Sequence, residues 1–523
     1  MATVYIDPTF GSNGAGTFAD PRNTWVGITW TASDLYLQKE STLWAGSASI
    51  SPSQNNIVFG TYDAVSGLQV QDNTRHAKIA NTSGQGINCN SRTGLVIDNL
   101  EITGNSASGN AIQALYTNSG TALNLTVRRC RLFNLSAGGG APLRARGDGL
   151  IVEDTIAHSD ASAAAAFPLT CINVTIKRCT ISSSVNSAVS IASTADNATT
   201  AVNVLVEDCT LNTTGTVAGD ALLVKGNNVT IRRVVSTSAA DNSLILRCQN
   251  ILIENCHFSG FDLNRSTGDG VQLVGTHDVL DCTIRNVIVI GHLDSPVKQC
   301  FILGDSEASA QSGNVLIENC YSYGMALGII MNIPGGIVRR CRVYGTGGGI
   351  VASASDVKVL NNLIYTISVR GIGVDGVFTG IEITGNSVID VLGSGIGTGP
   401  GTATIKNNLV ICGVGGTNQA IREETGTCTL NNNRYFARSG SLSWLWNSVS
   451  QTTIAAWKTA SSQDAASSEG DPLLTSDYKP TATSPLVAAG THLGYRRDIE
   501  GKQRQNPPCI GAYDAAPMRA PLA

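Results

Sequence analysis

The sequence predicts an all-β protein, a right-handed parallel β-helix: a three-sided solenoid of about 14 or more coils closed by terminal caps. Three observations predict it. A short apolar phrase returns along most of the chain. Charged residues at one position of that phrase alternate in sign from copy to copy. The composition suits short strands and tight turns: of 523 residues 42% are hydrophobic, only 14% are charged, and 56 are glycine. Long amphipathic helices need more Glu, Lys and Leu than this.

The phrase is apolar-x-apolar-x-x-(Cys/Asn)-x-apolar. It appears as LTVRRCRL from Leu125, VTIKRCTI from Val174, VLIENCYS from Val315, IEITGNSV from Ile381 and ATIKNNLV from Ala403. Anchored at the Cys/Asn position, the copies fall at Leu100, Cys130, Thr155, Cys179, Cys209, Val234, Cys256, Val287, Cys320, Cys341, Asn362, Asn386, Asn408 and Asn432, with gaps of 21 to 33 residues. Apolar residues alternate with period two and the period then breaks by one just before the anchor. A break in parity is a corner: the strand bends and the anchor turns inward. Asn386, Asn408 and Asn432 are expected to stack as an inward amide ladder, with Cys, Thr and Val filling the same column elsewhere.

Two residues before the anchors stand Asp98, Arg128, Glu153, Lys177, Glu207, Arg232, Glu254, Arg285, Glu318 and Arg339. Parallel coils bring such residues about 4.8 Å apart, where opposite charges pair and like charges repel. The column therefore predicts an exposed ladder of cross-coil ion pairs, a scaffold feature. Six of the 14 cysteines share the anchor phase, and no CxxC pair or Cys/His cluster accompanies them. They are expected to be buried free thiols, not disulfides or zinc ligands.

Residues 1–85 are expected to form an N-terminal cap and irregular first coils, 86–440 the regular β-helix, and 441–523 a capping region in which the Trp-rich stretch after Ser441 forms a short helix over the open end. The net charge of −4 gives no pull toward nucleic acid. No apolar run reaches the length of a membrane span, and the first residues lack the basic and apolar regions of a secretory signal.

Both ends resemble a known group. The segment YIDPTFGSNGAGTFADPRNTW from Tyr5, and DPLLTSDYKPTATSPLVAAG from Asp471 with DIEGKQRQNPPCIGAYD from Asp498, are similar to the opening and closing segments of pectate-lyase-like β-helix proteins. Within that superfamily the chain looks most like phage tailspike and tail-fibre depolymerases. The resemblance implies binding and depolymerisation of a host cell-surface polysaccharide by a homotrimer located on the virion tail with other tail proteins, without nucleic acid or membrane insertion. It requires no cofactor, although calcium serves some members. Two rivals stay open: a bacterial polysaccharide lyase, hydrolase or uronate epimerase, and a non-catalytic β-helix adhesin. No catalytic motif of the superfamily carries over residue by residue.

Loop length points independently to a site. The gaps Cys256–Val287 and Val287–Cys320 are adjacent and the longest of the later coils, and long neighbouring loops raise a wall beside the solenoid. They bring candidate catalytic carboxylates, Asp262, Asp269 and Asp294, to one corner, with Arg265, His292, Lys298, Asp305 and Glu307 as candidate substrate-binding residues. Carboxylates on neighbouring coils suit glycoside hydrolysis; Lys298 suits the base of an elimination. Runs of small residues such as Ala161 to Ala166 are expected to let flat faces approach in the trimer.

Overall fold

The computed structural model describes every residue except 1, 83, 105–109, 116–120, 136–139, 161–164, 192–202, 215–218, 240, 261–267, 274–280, 292–297, 305–312, 426 and 515–523. Among the described residues the one α-helix is Ile454–Ser461, and the rest of the regular structure is short strands paired almost wholly in parallel. The chain forms two compact units, residues 1–252 with 259–265, and 253–258 with 266–523.

In each unit three strands make a coil, and each strand pairs with its equivalent one coil on. In the second unit Gln299–Leu303 pairs with Leu327–Met331 on a first face, Val315–Glu318 with Ile337–Arg339 on a second, and Tyr321–Tyr323 with Arg342–Tyr344 on a third. In the first unit Val189–Ile191 and Val204–Glu207 both pair with Leu222–Arg232, whose length covers two faces, and Thr180–Ser183 pairs with Thr210–Thr213 on the third. The three-sided coil expected from the anchor spacing is present in both.

The parity break is a corner with one backbone conformation. The residue before the anchor is left-handed at Arg129, Asp154, Arg178, Asp208 and Arg233 in the first unit, with φ between 51° and 54°. The second unit repeats it at Asn255, Asn286, Asn319, Arg340, Asn361, Asn407 and Asn432, with φ of 54° to 56°. Asn and Asp tolerate this region because their short side chains bond locally; Arg does not share that relief. The anchors that follow are buried, from Cys130 and Thr155 to Asn386 and Asn408.

At the C-terminal end the column is an amide ladder. Asn386 Oδ1 accepts from the Asn362 backbone N–H and side-chain amide (2.9 and 3.0 Å), and Asn408 Oδ1 accepts from Asn386 in the same way (2.9 and 3.0 Å). The next member is Asn433, not Asn432: Asn433 Oδ1 accepts from Asn408 N–H at 3.0 Å, while Asn432 is the left-handed corner residue. Three consecutive asparagines, Asn431 to Asn433, left the sequence phase open by one. The anchor cysteines Cys130, Cys179, Cys209, Cys256, Cys320 and Cys341 are free and buried; Cys179 Sγ, for example, donates to the Lys177 carbonyl (3.1 Å).

The alternating charges pair across coils: Arg128 with Asp98 (3.0 Å), Arg232 with Glu207 (2.6 Å) and Arg285 with Glu254 (2.5 Å), and Arg339 with Glu318. The ladder is less exposed than expected. Asp98 and Glu207 are buried, because the neighbouring corner arginines, Arg129 and Arg233, fold over them as second partners.

The helix Ile454–Ser461 closes the last coil as expected. Thr453 caps it, its hydroxyl accepting from Ala456 N–H (3.1 Å). Trp457 is buried and stacks on Trp444 at 6.5 Å. Buried Asp464 accepts from Trp457 Nε1, Tyr435 Oη (both 2.7 Å) and Asn433 Nδ2 (3.1 Å), so the helix end also terminates the amide ladder. Of the small-residue run, Ala161 to Ala164 lie outside the described residues; Ala165 and Ala166 are buried in their own coil.

Candidate functional site

Of the eight residues marked by loop length, Asp262, Arg265, His292, Asp294, Asp305 and Glu307 lie outside the described residues. Asp269 and Lys298 are described, and the structure brings them to one corner. Asp269 stands two residues before the first-face strand Val271–Leu273 and Lys298 directly before Gln299–Leu303, and the two strands pair in register.

Both are buried. Asp269 is 5% exposed and accepts a hydrogen bond from Gln299 N–H on the next coil at 3.0 Å. That contact recurs in the first unit, where Asn110 Oδ1 accepts from Ala141 N–H and Asp220 Oδ1 from Asn242 N–H (2.8 and 3.3 Å). The Asp269 carboxylate thus links coils as well as carrying charge. Burial, and then the Asp269 charge, push the neighbouring Cys300 thiol up to about 12. Lys298 is 1% exposed, and its ammonium has no hydrogen-bond partner among the described residues. A buried, unpaired ammonium is costly.

From this corner a cleft of about 800 Å³ crosses four coils, from Gln299 past Leu327 and Gly348 to Arg370. Its floor depends on close coil packing: a Cβ on Gly348 would come within 2.5 Å of Leu327 Cδ2. Arg370 closes the far end, paired with Asp375 and lying over Gly373, where a Cβ would meet its Nε at 2.5 Å. Val369, 64% exposed, stands on the rim.

A second cleft, of about 690 Å³, lies on the third face beside the closing segment. Ile411, Val414, Phe436, Arg438, Asp471 and Tyr478 are among its walls. Tyr323, Tyr344 and Tyr365 form a stacked column leading toward it, with ring centroids 5.0 and 4.6 Å apart, and Tyr478 continues the column at 5.3 Å. The loop-length argument pointed to none of Tyr365, Tyr478, Arg438 and Asp390. The periodicity of the Tyr column, one per coil at Tyr323, Tyr344 and Tyr365, was the available signal.

Among the described residues no group of three or more His, Cys, Asp or Glu side chains converges to hold a metal ion, and no helix is long and apolar enough to cross a membrane.

The architecture defines the class: a right-handed parallel β-helix. Residues 244–410 match the family model described as a right handed beta helix region, in keeping with the resemblance of the two ends to the pectate-lyase-like superfamily. Among solved structures, the GH136 lacto-N-biosidase from Eubacterium ramulus is 9% identical, with 77% of this chain and 64% of that chain covered and a TM-score of 0.28. The chain therefore spans just under two thirds of that protein. XylC in complex with xylose is 10% identical over 98% of both chains with a TM-score of 0.33, and tailspike protein 3 of bacteriophage CBA120 is 8% identical over 86% and 68% with a TM-score of 0.34. No curated protein matches by sequence.

Proposed function

We propose that this β-helix is a virion-associated tailspike or tail-fibre protein that binds a host surface polysaccharide and depolymerises it, as a homotrimer held to the tail by other virion proteins. The resemblance at the two ends supports the class. The observation that carries the carbohydrate reading is the corner at Lys298: a buried ammonium without a hydrogen-bond partner among the described residues, near the Asp269 position of the preceding coil and next in the chain to Gln299, where a cleft that crosses four coils begins. An acidic sugar supplies the missing negative charge, and a cleft running across coils accommodates a linear polymer. In this reading Asp262, Asp269 and Asp294 are the catalytic carboxylates. Arg265, His292, Lys298, Asp305 and Glu307 hold the substrate, with Lys298 as base if the reaction is an elimination. The apolar rim around Val369 faces a second subunit.

The test pairs Lys298→Met with Asp269→Asn, which keeps an oxygen to accept from Gln299 N–H. Release of oligosaccharide or unsaturated uronate from capsule and O-antigen of a susceptible host is measured alongside melting. A fall of about 100-fold without a loss of melting temperature is expected for each. Full activity in both removes this corner, and absence of the chain from purified particles removes the virion role.

A further inference from the structure

The cleft beside the closing segment combines features that no other described part of the chain brings together. Asp390 sits at a bulge in the third-face strand Ser387–Val391: its φ is 55°, and pairing with the next coil shifts register between Ile389 and Val391. Bulges re-aim side chains. Here the carboxylate meets Arg438, two coils on, which donates from Nε to Oδ1 and from Nη2 to Oδ2, the latter at 3.3 Å. The fork fixes both groups over the intervening strand Leu409–Cys412. On the other side, Asp471 accepts from Leu473 N–H (2.8 Å), which fixes its carboxylate at the start of the closing segment. Phe436 and Tyr478 are half-buried against the core formed by Ile411, Leu486 and Ile510, so each ring is held while one side borders the cleft.

We infer that this cleft is a subsite for a neutral pyranose unit of the bound polymer, separate from the Lys298 corner. The inference rests on the polysaccharide reading above and says which kind of sugar this part of the protein takes. A pyranose has an apolar C–H face and a hydroxyl edge. Phe436 and Tyr478 suit the first. The fixed Arg438–Asp390 pair offers a donor and acceptors to adjacent hydroxyls. Charge disfavours the acidic sugars: the walls carry two charged side chains, Arg438 and Asp471, and Arg438 is already committed to Asp390, so an added carboxylate meets Asp471 with no uncommitted cation on the walls. An added carboxylate is repelled. Acidic units belong at Lys298 and neutral ones here, which describes a heteropolymer.

The experiment incorporates 3-fluorotyrosine into the full chain, assigns the Tyr478 fluorine resonance with Tyr478→Phe, and titrates methyl glycosides of glucose, galactose, mannose, rhamnose and N-acetylglucosamine against the methyl uronosides of glucose and galactose. At least one neutral glycoside should shift the Tyr478 resonance saturably. Phe436→Ala and Arg438→Met should each weaken it about tenfold while melting is kept, and the matching uronoside should bind about tenfold more weakly. No shift from any neutral glycoside, or a uronoside binding as tightly as its parent, overturns the inference. Because Phe436→Ser and Arg438→Lys are run in parallel, one misfolded variant does not decide the result. Depolymerisation by the wild-type chain is scored separately. An active enzyme with a silent cleft defeats only this inference, and a responsive cleft on a chain that neither binds nor cuts polymer defeats only the function above.

Discussion

Coils 98–233 in the first unit and coils 358–433 in the second solve the same mechanical problem in opposite ways. Both stack parallel corners in which one residue is left-handed and the next points inward. In the earlier coils the inward column is Leu100 followed by Cys or Thr, which bond mostly to backbone carbonyls, and coil-to-coil attraction is placed outside, in ion pairs such as Arg178 with Asp154 (2.6 Å). In the later coils the attraction is placed inside, in buried amides that each bond to the next coil twice, and most corner residues are Asn, suited to the left-handed region. Surface ion pairs are weak and screened by salt; satisfied buried amides are strong together and costly to break. The later coils should therefore be the stiffer part, and they carry the cap and the cleft beside it.

The largest expected effect follows from breaking the inner ladder. Asn408→Ala removes the acceptor for Asn386 N–H and its amide, and the donor to the Ile383 carbonyl (2.8 Å). Several buried groups lose partners at once, at about 3 kcal/mol or more. Trp444, Trp446 and Trp457 lie at that end, so denaturation followed by tryptophan fluorescence should show the loss. A midpoint equal to wild type would mean that the ladder is not what holds these coils.

Acid should act on the other region. A hydrogen bond from Arg178 holds the Asp154 carboxyl below its usual range, and one from Arg232 does the same for Glu207, against the opposing effect of burial. Carboxylates with lowered folded pKa values contribute stability that is complete above the unfolded value, about 4. It is lost as pH falls through the lowered folded value. The asparagine ladder is built of amides, which do not titrate, and only its last member, Asn433, bonds to a carboxylate, Asp464. Pepsin at pH 3 should therefore cut within residues 98–233 before 358–433, and the reverse order would contradict the assignment.

A smaller effect separates the two roles of a corner arginine. Arg178→Ala loses the pairs to Asp154 and Glu153 and keeps a residue ill suited to a φ of 51°; about 0.5 kcal/mol should be lost at low salt and less at 1 M. Arg178→Asn loses the same pairs but relieves the backbone, so it should sit close to wild type. If Asn is as destabilising as Ala, the left-handed corner carries no strain.

Much of this comparison was legible in the sequence because it is periodic. The parity break before Cys130, Cys179 or Asn386 marked the corner, and the sign alternation from Asp98 to Arg339 marked the outer pairing. The ladder slipped by one residue at Asn432 because its neighbours are also asparagine and period gives no preference among three. The burial of Asp98 was missed because it depends on Arg129 folding back, and that arginine belongs to another column. Of the sites, the Lys298 corner was approached through loop length, which is local. The second cleft joins Asp390, Arg438 and Asp471, residues tens of positions apart that meet because a bulge and the closing segment bring them together. No spacing rule announces such a meeting.

The last expected effect is one of reactivity at the thiols, and it tests how closed the earlier column is. Burial pushes the Cys89 and Cys130 thiols up to about 12, so at pH 8 only about one molecule in ten thousand carries a thiolate at either. Cys130 Sγ also donates to the Arg128 carbonyl at 3.1 Å. Cys130→Ala leaves a small void and one unanswered acceptor, about 1 kcal/mol. Ellman's reagent at pH 8 should leave the described cysteines untouched in the folded protein and react with them only after unfolding in guanidinium. Prompt native-state reaction at Cys130, Cys179 or Cys209, with none at Cys412 or Cys428, would show that the earlier coils open to solvent while the later ones stay shut. That result would extend the contrast between outer and inner stacking from stability to motion. Equal prompt reaction in both groups would instead remove any difference in stiffness between them.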